Sequence, residues 1–318
     1  MHKFTALLLA SAASLALTAA ANAQSVTVYT AGPADLIEEL AAGFTAETGI
    51  EVGIFQATTG QMMARLEAEA ANPQADIVIS ASMDTAYDFG AQGLLLDYTS
   101  PNAENVPDFL KGENWVVQGI SALAIAWNPN SGTPEPTDWT DLTGEDYRDL
   151  VTMPDPAQSG SAYELVAALV ANEAIGWELF EGLAENEMIV PGANAAALNP
   201  VLQGAKAVVF GAVDYISFNS QQAGESIEVI FPASGTVIAP RPMMILETSQ
   251  NQDEAKAFID YVLSEEGQAM VAATNLMPSR TDIAADRPLI SDLDILDVDP
   301  ETDRAATLAR FAEIFGIE

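Results

Sequence analysis

Three short runs of the sequence place hydroxyls and a small residue directly ahead of helix-forming stretches: Thr58-Thr59-Gly60, Ser80-Ala81-Ser82 and Ser159-Gly160-Ser161. The first N–H groups of a helix have no partner inside it and carry partial positive charge. Such loops therefore suit the oxygens of phosphate, phosphonate or carbonate. Taken singly, each is also an ordinary helix cap. Arg241, set between Pro240 and Pro242 in an apolar run, is a second anion-seeking group. Its planar guanidinium fork matches a phosphoryl group, and its plainer use is a salt bridge.

Other chemistry is removed by what the chain lacks. It has 318 residues with 46 Asp and Glu against 11 Lys and Arg, a formal net charge of −35, and no cysteine. Disulfides, thiolate nucleophiles and thiolate metal sites are thereby excluded. The acidic excess opposes nucleic acid and anionic lipid alike, since both are bound through Lys and Arg. With 49% hydrophobic residues the chain is not a disordered acidic segment. Residues 1–23 combine a basic start (His2, Lys3), an apolar run and Ala21-Asn22-Ala23, the pattern of a cleaved secretory signal. His2 is the single histidine, so the expected mature chain has neither His nor Cys. Ser-His-Asp and Cys-His catalysis and His-ligated metals are then unavailable. Carboxylate-based hydrolysis or a Ser–Lys pair remains as an enzyme option, although no acidic pair stands out from the acidic background. The expectation is no catalytic residue and no cofactor. The charge itself reads as a solvated surface for a salt-rich habitat, where screening makes self-repulsion tolerable.

The elements that would hold these residues alternate between strands and amphipathic helices. Strands are expected at 25–30, 50–55, 76–80, 119–128, 150–153, 207–210, 227–231 and 236–246. Helices are expected through Leu36, Ile37, Leu40 and Phe44, at 61–71, 82–92, 162–172, 252–264 and 265–274, and at 300–315. Such alternation predicts an α/β fold with a mainly parallel sheet flanked by helices. The Pro- and Thr-rich stretch 129–141 and the Pro-interrupted segment 236–246 suggest two crossings between two lobes, with a ligand cleft between them. The expected division is 24–120 plus about 240–275 for lobe 1 and 121–239 for lobe 2. Residues 276–318 form a C-terminal helical segment of open lobe assignment.

Five segments carry a family resemblance: VTVYTAG, TGIEVGIFQATTGQMMARLEAEAANPQADIVIS, DPAQSGSAY, ASGTVIAPRPMMIL, and NQDEAKAFIDYVLSEEGQ followed by MPSR. In this order they resemble the periplasmic solute-binding proteins of ABC importers, in the subgroup of ferric-iron, thiamine, phosphonate and sugar-phosphate binders. The resemblance implies the type II periplasmic binding fold, a ligand held between the lobes at strand-to-helix loops, and delivery to an inner-membrane ABC permease by a monomer. It also implies that the three hydroxyl loops line the cleft.

Two ligand readings follow. A cleft with anion-binding loops at one end and Asp214 with Tyr215 at the other suits a zwitterion such as an aminoalkylphosphonate, or the hydroxyls of a sugar phosphate. Tyr215 and Tyr29 would stack on, or hydrogen-bond, the organic part. The rival is ferric iron. Ferric binders resembling this chain use adjacent tyrosines in the segment matching GAVDYISFNS, residues 211–220, where this sequence has Asp214-Tyr215. An unusual iron site from Asp214, Tyr215 and Tyr29 is the alternative, and a thiamine-type ligand lacks an evident aromatic cage.

Overall fold

The computed structural model describes residues 24–296 and 302–317. The expected signal, residues 1–23, lies outside them. In the first part of the chain, β1 (Ser25–Thr30), β2 (Glu51–Gln56) and β3 (Ile77–Ile79) alternate with α1 (Ala34–Thr48), α2 (Thr59–Ala68) and α3 (Met83–Ala91). α1 turns Leu36, Ile37, Leu40 and Phe44 into the core. It ends at Gly49, whose left-handed φ of 75° lets its N–H return to the Thr45 carbonyl. Then follow β4 (Val116–Trp127), β5 (Val151–Pro154), α4 (Gly160–Ala171), α5 (Gly176–Glu185), β6 (Ile189–Gly192), α6 (Asn194–Leu202), β7 (Val208–Val213), α7 (Asp214–Gln222) and β8 (Glu228–Ile230). The chain closes with β9 (Ile238–Ile245), α8 (Gln252–Val262), α9 (Glu265–Ala273), β10 (Met277–Pro278) and α10 (Arg304–Phe315).

The strands form one curled sheet in the order β2-β1-β3-β9-β4-β7-β5-β6, with β8 and β10 also on β4. Parallel pairs β1–β2 and β1–β3 lie on one side, and β5–β6 and β5–β7 on the other. The two long strands β4 and β9 run antiparallel between these halves. All twelve residues of β4 are buried, so apart from Gln118 and Ser121 its sequence is apolar on both faces rather than an alternation. Pro240 and Pro242 sit opposite Ile120 and Val117, and the register slips between those two pairs. Proline cannot donate to a ladder, so the shared strands are least tied together where the two lobes meet.

After β10 the chain returns to the second lobe. Thr236 exchanges backbone bonds with Asp294 and Leu296, and α10 packs on α4 and α5 with Phe311 against Phe180. The two expected crossings are therefore joined by a third link. Hydrophobic patterning did not register it because Leu289, Ile290, Leu293 and Leu296 pack on the core from an irregular segment with neither helical nor strand spacing.

Candidate functional site

Between the lobes lies a cavity of about 340 Å³ where several helices point their N-terminal ends at one space. That size lies in the ordinary range for small-ligand sites. Lobe 1 contributes residues 31–33 ahead of α1, residues 56–59 and Gln61 around the start of α2, and Ala81 beyond β3. Lobe 2 contributes residues 158–160 at the start of α4, residues 193–195 at the start of α6, and Tyr215 and Ile216 in the first turn of α7. Arg241 enters from β9. In a chain with 46 acidic residues, no Asp or Glu among the described residues lines this cavity.

Local sequence explains the helix ends. Thr58 and Gln61 form a reciprocal capping box at α2. Ser159 accepts from the Ala162 N–H at α4 and donates to Asn194 Oδ1 at 2.9 Å. Ala193 leads α6 with no side-chain cap, so the first amides of that helix stay open to another acceptor.

Arg241 is 1% exposed. Its Nη1 donates to the Ala31 carbonyl at 3.0 Å, its guanidinium lies 5.4 Å from the Tyr215 ring centre, and its buried Nε has no protein partner. Among the described residues every other Lys or Arg has a carboxylate partner, and Arg241 has none. The Thr59 hydroxyl is likewise buried without a partner. Burial pushes the Tyr215 phenol up, with Arg241 pulling against it. The ring therefore remains neutral near pH 7 and offers an O–H. The arrangement holds one unpaired cation, free hydroxyls and helix amides, which together match an oxyanion.

Of the residues expected at the ligand, Thr58, Thr59, Ser159, Gly160, Tyr215 and Arg241 line the cavity. Gly60 stands beside it, and its N–H donates across the cleft to the Gln158 carbonyl at 3.2 Å. The others are turned to structural uses. Ser80 pairs with Thr85 at 2.8 Å, Ser82 donates to Glu164 at 2.6 Å, and Ser161 pairs with Ser159 at 3.1 Å. Tyr29 donates to Glu69 at 2.8 Å and packs on Phe55 and Arg65, outside the cavity lining. Asp214 is fully buried: its carboxylate accepts from the Ala122 and Tyr215 amides at 2.9 and 2.7 Å and pairs with Arg287. A carboxylate with all these donors has little left to offer a ligand. Of the suggested iron set, only Tyr215 reaches the cavity, and among the described residues no cluster of three or more Asp, Glu, His or Cys is arranged for a metal.

Asp214 and Arg287 instead tie α7 to β4. Removing one member of a buried ion pair strands the other, so Asp214→Ala is expected to cost about 3–5 kcal/mol of stability. Urea unfolding monitored by circular dichroism reads this directly. A loss below about 1 kcal/mol would show that the pair carries little weight.

The sequence reading missed four carboxamides, those of Gln56, Gln61, Gln158 and Asn194, and the α6 terminus that presents Asn194. The run Gly192-Ala193-Asn194 before an alanine-rich helix was the available signal.

The characteristic sequence of the bacterial extracellular solute-binding proteins matches residues 72–299. The chain belongs to that family. Among its relatives, iron uptake protein A1 of Synechocystis is 25% identical over 273 residues, covering 79% of this chain and 74% of the relative. The fold matches the periplasmic binding protein AfuA of Actinobacillus pleuropneumoniae with fructose-6-phosphate bound. That match has a TM-score of 0.84 at 23% identity, covering 93% of this chain and 99% of AfuA. Iron-bound HitA of Pseudomonas aeruginosa matches with a TM-score of 0.80 at 20% identity, covering 92% and 99%. The architecture is thus that of two-lobed periplasmic binding proteins.

Proposed function

We propose that this solute-binding protein captures a small phosphorylated or phosphonate solute and delivers it to an ABC permease of the inner membrane. It would act as a secreted monomer released by cleavage after residue 23. The observation that carries the reading is the acid-free cleft holding the one described base without a carboxylate partner. A buried guanidinium in that position lacks a counter-charge, and a phosphoryl group supplies one with matching geometry. The hydroxyl of Thr59 and the amides at the starts of α4 and α6 would take its remaining oxygens.

The organic part is best read as neutral and hydroxylated. Gln56 and Gln61 each spend one end of the carboxamide on the protein, to the Gly32 carbonyl and from the Thr58 amide, and keep the other end free. Free carboxamide ends suit hydroxyls. An ammonium group would find no carboxylate, because Asp214 is occupied by Arg287. Ferric iron prefers several anionic oxygens, and the cleft offers a single phenol. The net charge remains best explained by a salt-rich surroundings rather than by the cargo.

A thermal-shift panel at high salt tests this, using a hexose phosphate, 2-aminoethylphosphonate, inorganic phosphate and Fe(III)-citrate. The hexose phosphate, at about a hundred times its Kd, is expected to raise Tm by about 5 °C. A smaller response is expected from 2-aminoethylphosphonate and none from iron. A tyrosinate-to-iron absorption band with tight iron binding, or turnover of the phosphate ester, would refute the reading.

A further inference from the structure

α3 begins at the loop expected to meet a ligand anion, yet its N-terminus is already taken by an anion of the chain itself. Ser82 makes no cap bond within its own helix. Its hydroxyl donates to Glu164 Oε1 at 2.6 Å, and the Met83 N–H donates to the same oxygen at 2.8 Å. Glu164 lies on α4 in lobe 2, and Ser82 and Met83 lie on lobe 1. The carboxyl group thus caps a helix across the seam between lobes, taken out of water as the lobes meet. We infer that Glu164 is a proton-sensitive clasp that sets how readily the two lobes close, independently of the solute in the cleft.

The surroundings fix the sign. Glu164 is buried in the closed arrangement. The charged group acting on it is Asp84 on α3, whose carboxylate is held by Arg304 on α10. The two pair at 3.1 Å across the same seam, and the Arg304 guanidinium lies 4.1 Å from the Tyr163 ring centre. Tyr87 and Tyr163 are the neighbouring phenols, and they line a cavity of about 210 Å³ beside the carboxyl with Met83 and Phe109. Burial pushes the Glu164 carboxyl up; the Ser82 hydroxyl and then the Met83 amide pull it back, and the Asp84 charge and amide add smaller, opposed effects. Parting the lobes removes the cover of α3 and returns the carboxyl to water and to its ordinary range. The closed state therefore holds the proton more tightly than the open one. By linkage, the contribution to closure is full below the open-state pKa and is lost as pH rises through the closed-state pKa. Acidification closes the lobes, and alkalinisation opens them.

The absence of cysteine permits a direct test on the full chain without any solute. Glu47→Cys on α1 and Glu185→Cys on α5, both exposed, accept a spin-label pair whose distance reports closure. Between about pH 8 and about pH 5 the closed fraction is expected to rise severalfold with Glu164 intact. With Glu164→Gln, whose amide oxygen still accepts from Ser82 and Met83, it is expected to be insensitive to pH. Arg304→Ala is expected to lower the closed fraction at every pH while keeping the slope. An equal slope in the Glu164→Gln protein, or no slope with Glu164 intact, overturns the inference. Because no solute is present, either result leaves the ligand assignment untouched.

Discussion

Gly60→Ala is expected to weaken solute binding by about 10- to 100-fold while leaving the ligand-free protein as stable as before. A Cβ at this position would stand 2.5 Å from the Ala157 carbonyl oxygen and 3.2 Å from the Gln158 Cα, both main-chain atoms of the opposite lobe. Backbone cannot swing aside as a flexible side chain can, so the lobes must stay apart, and the Gly60 N–H to Gln158 carbonyl bond goes with them. Within lobe 1, however, Gly60 lies inside α2, where alanine is the better helix former by about 0.5–1 kcal/mol. A defect in folding would lower Tm. A defect in closure alone keeps Tm without solute and removes the solute-induced rise. Gly160 faces the same constraint from the other lobe, where a Cβ would meet the Ala81 carbonyl at 3.0 Å and Thr59 Oγ1 at 2.9 Å. Calorimetric titration with the hexose phosphate decides the matter, and unchanged affinity in Gly60→Ala would mean that the solute binds with the lobes apart.

Arg241→Met is expected to produce opposite effects on the empty and the loaded protein. Methionine keeps the apolar stem beside the Tyr215 ring and removes a buried cation that has no carboxylate partner. The ligand-free Tm should therefore hold or rise, since burying an uncompensated charge is costly. Binding of the hexose phosphate should fall by about 30-fold or more, the usual penalty for truncating one partner of a buried charge pair. An ordinary structural arginine gives the reverse pattern, with lost stability and unchanged affinity. Affinity within about twofold of the parent protein would remove Arg241 from the site.

Both predictions rest on lobe-to-lobe distances of a kind that no local pattern encodes. The strand and helix positions were legible because they depend on short-range regularities. The apolar spacing of Leu36, Ile37, Leu40 and Phe44, the stop at Gly49, and the largely apolar run of β4 each mark an element within a few residues. The hydroxyl loops were legible too, since a helix N-terminus needs acceptors whatever its tertiary setting. Four helices of lobe 2 and its approaches were less visible: α6 and α7 have weak amphipathic signals, α5 buries Leu179, Phe180 and Leu183 on one face but was not expected, and α10 begins at Arg304 rather than at residue 300.

The sequence by itself determined the chemistry that is excluded: no thiol, no histidine beyond residue 2, and too few bases for a nucleic-acid partner. It also determined the α/β class and the family resemblance, and it singled out Arg241 by the scarcity of cations. Only the tertiary structure decided which groups are free to bind. Ser80, Ser82, Ser161 and Asp214 resemble ligand contacts in isolation, but each has its polar atoms bound within the protein: Ser80 by Thr85 and Ser161 by Ser159 from nearby in the chain, Ser82 by Glu164 and Asp214 by Arg287 across the fold. A hydrogen-bonding group serves a ligand only with the capacity the fold leaves unused, and that remainder depends on contacts between residues as far apart in sequence as Asp214 and Arg287. The same partitioning leaves Arg241 unpaired in the acid-free space between the lobes.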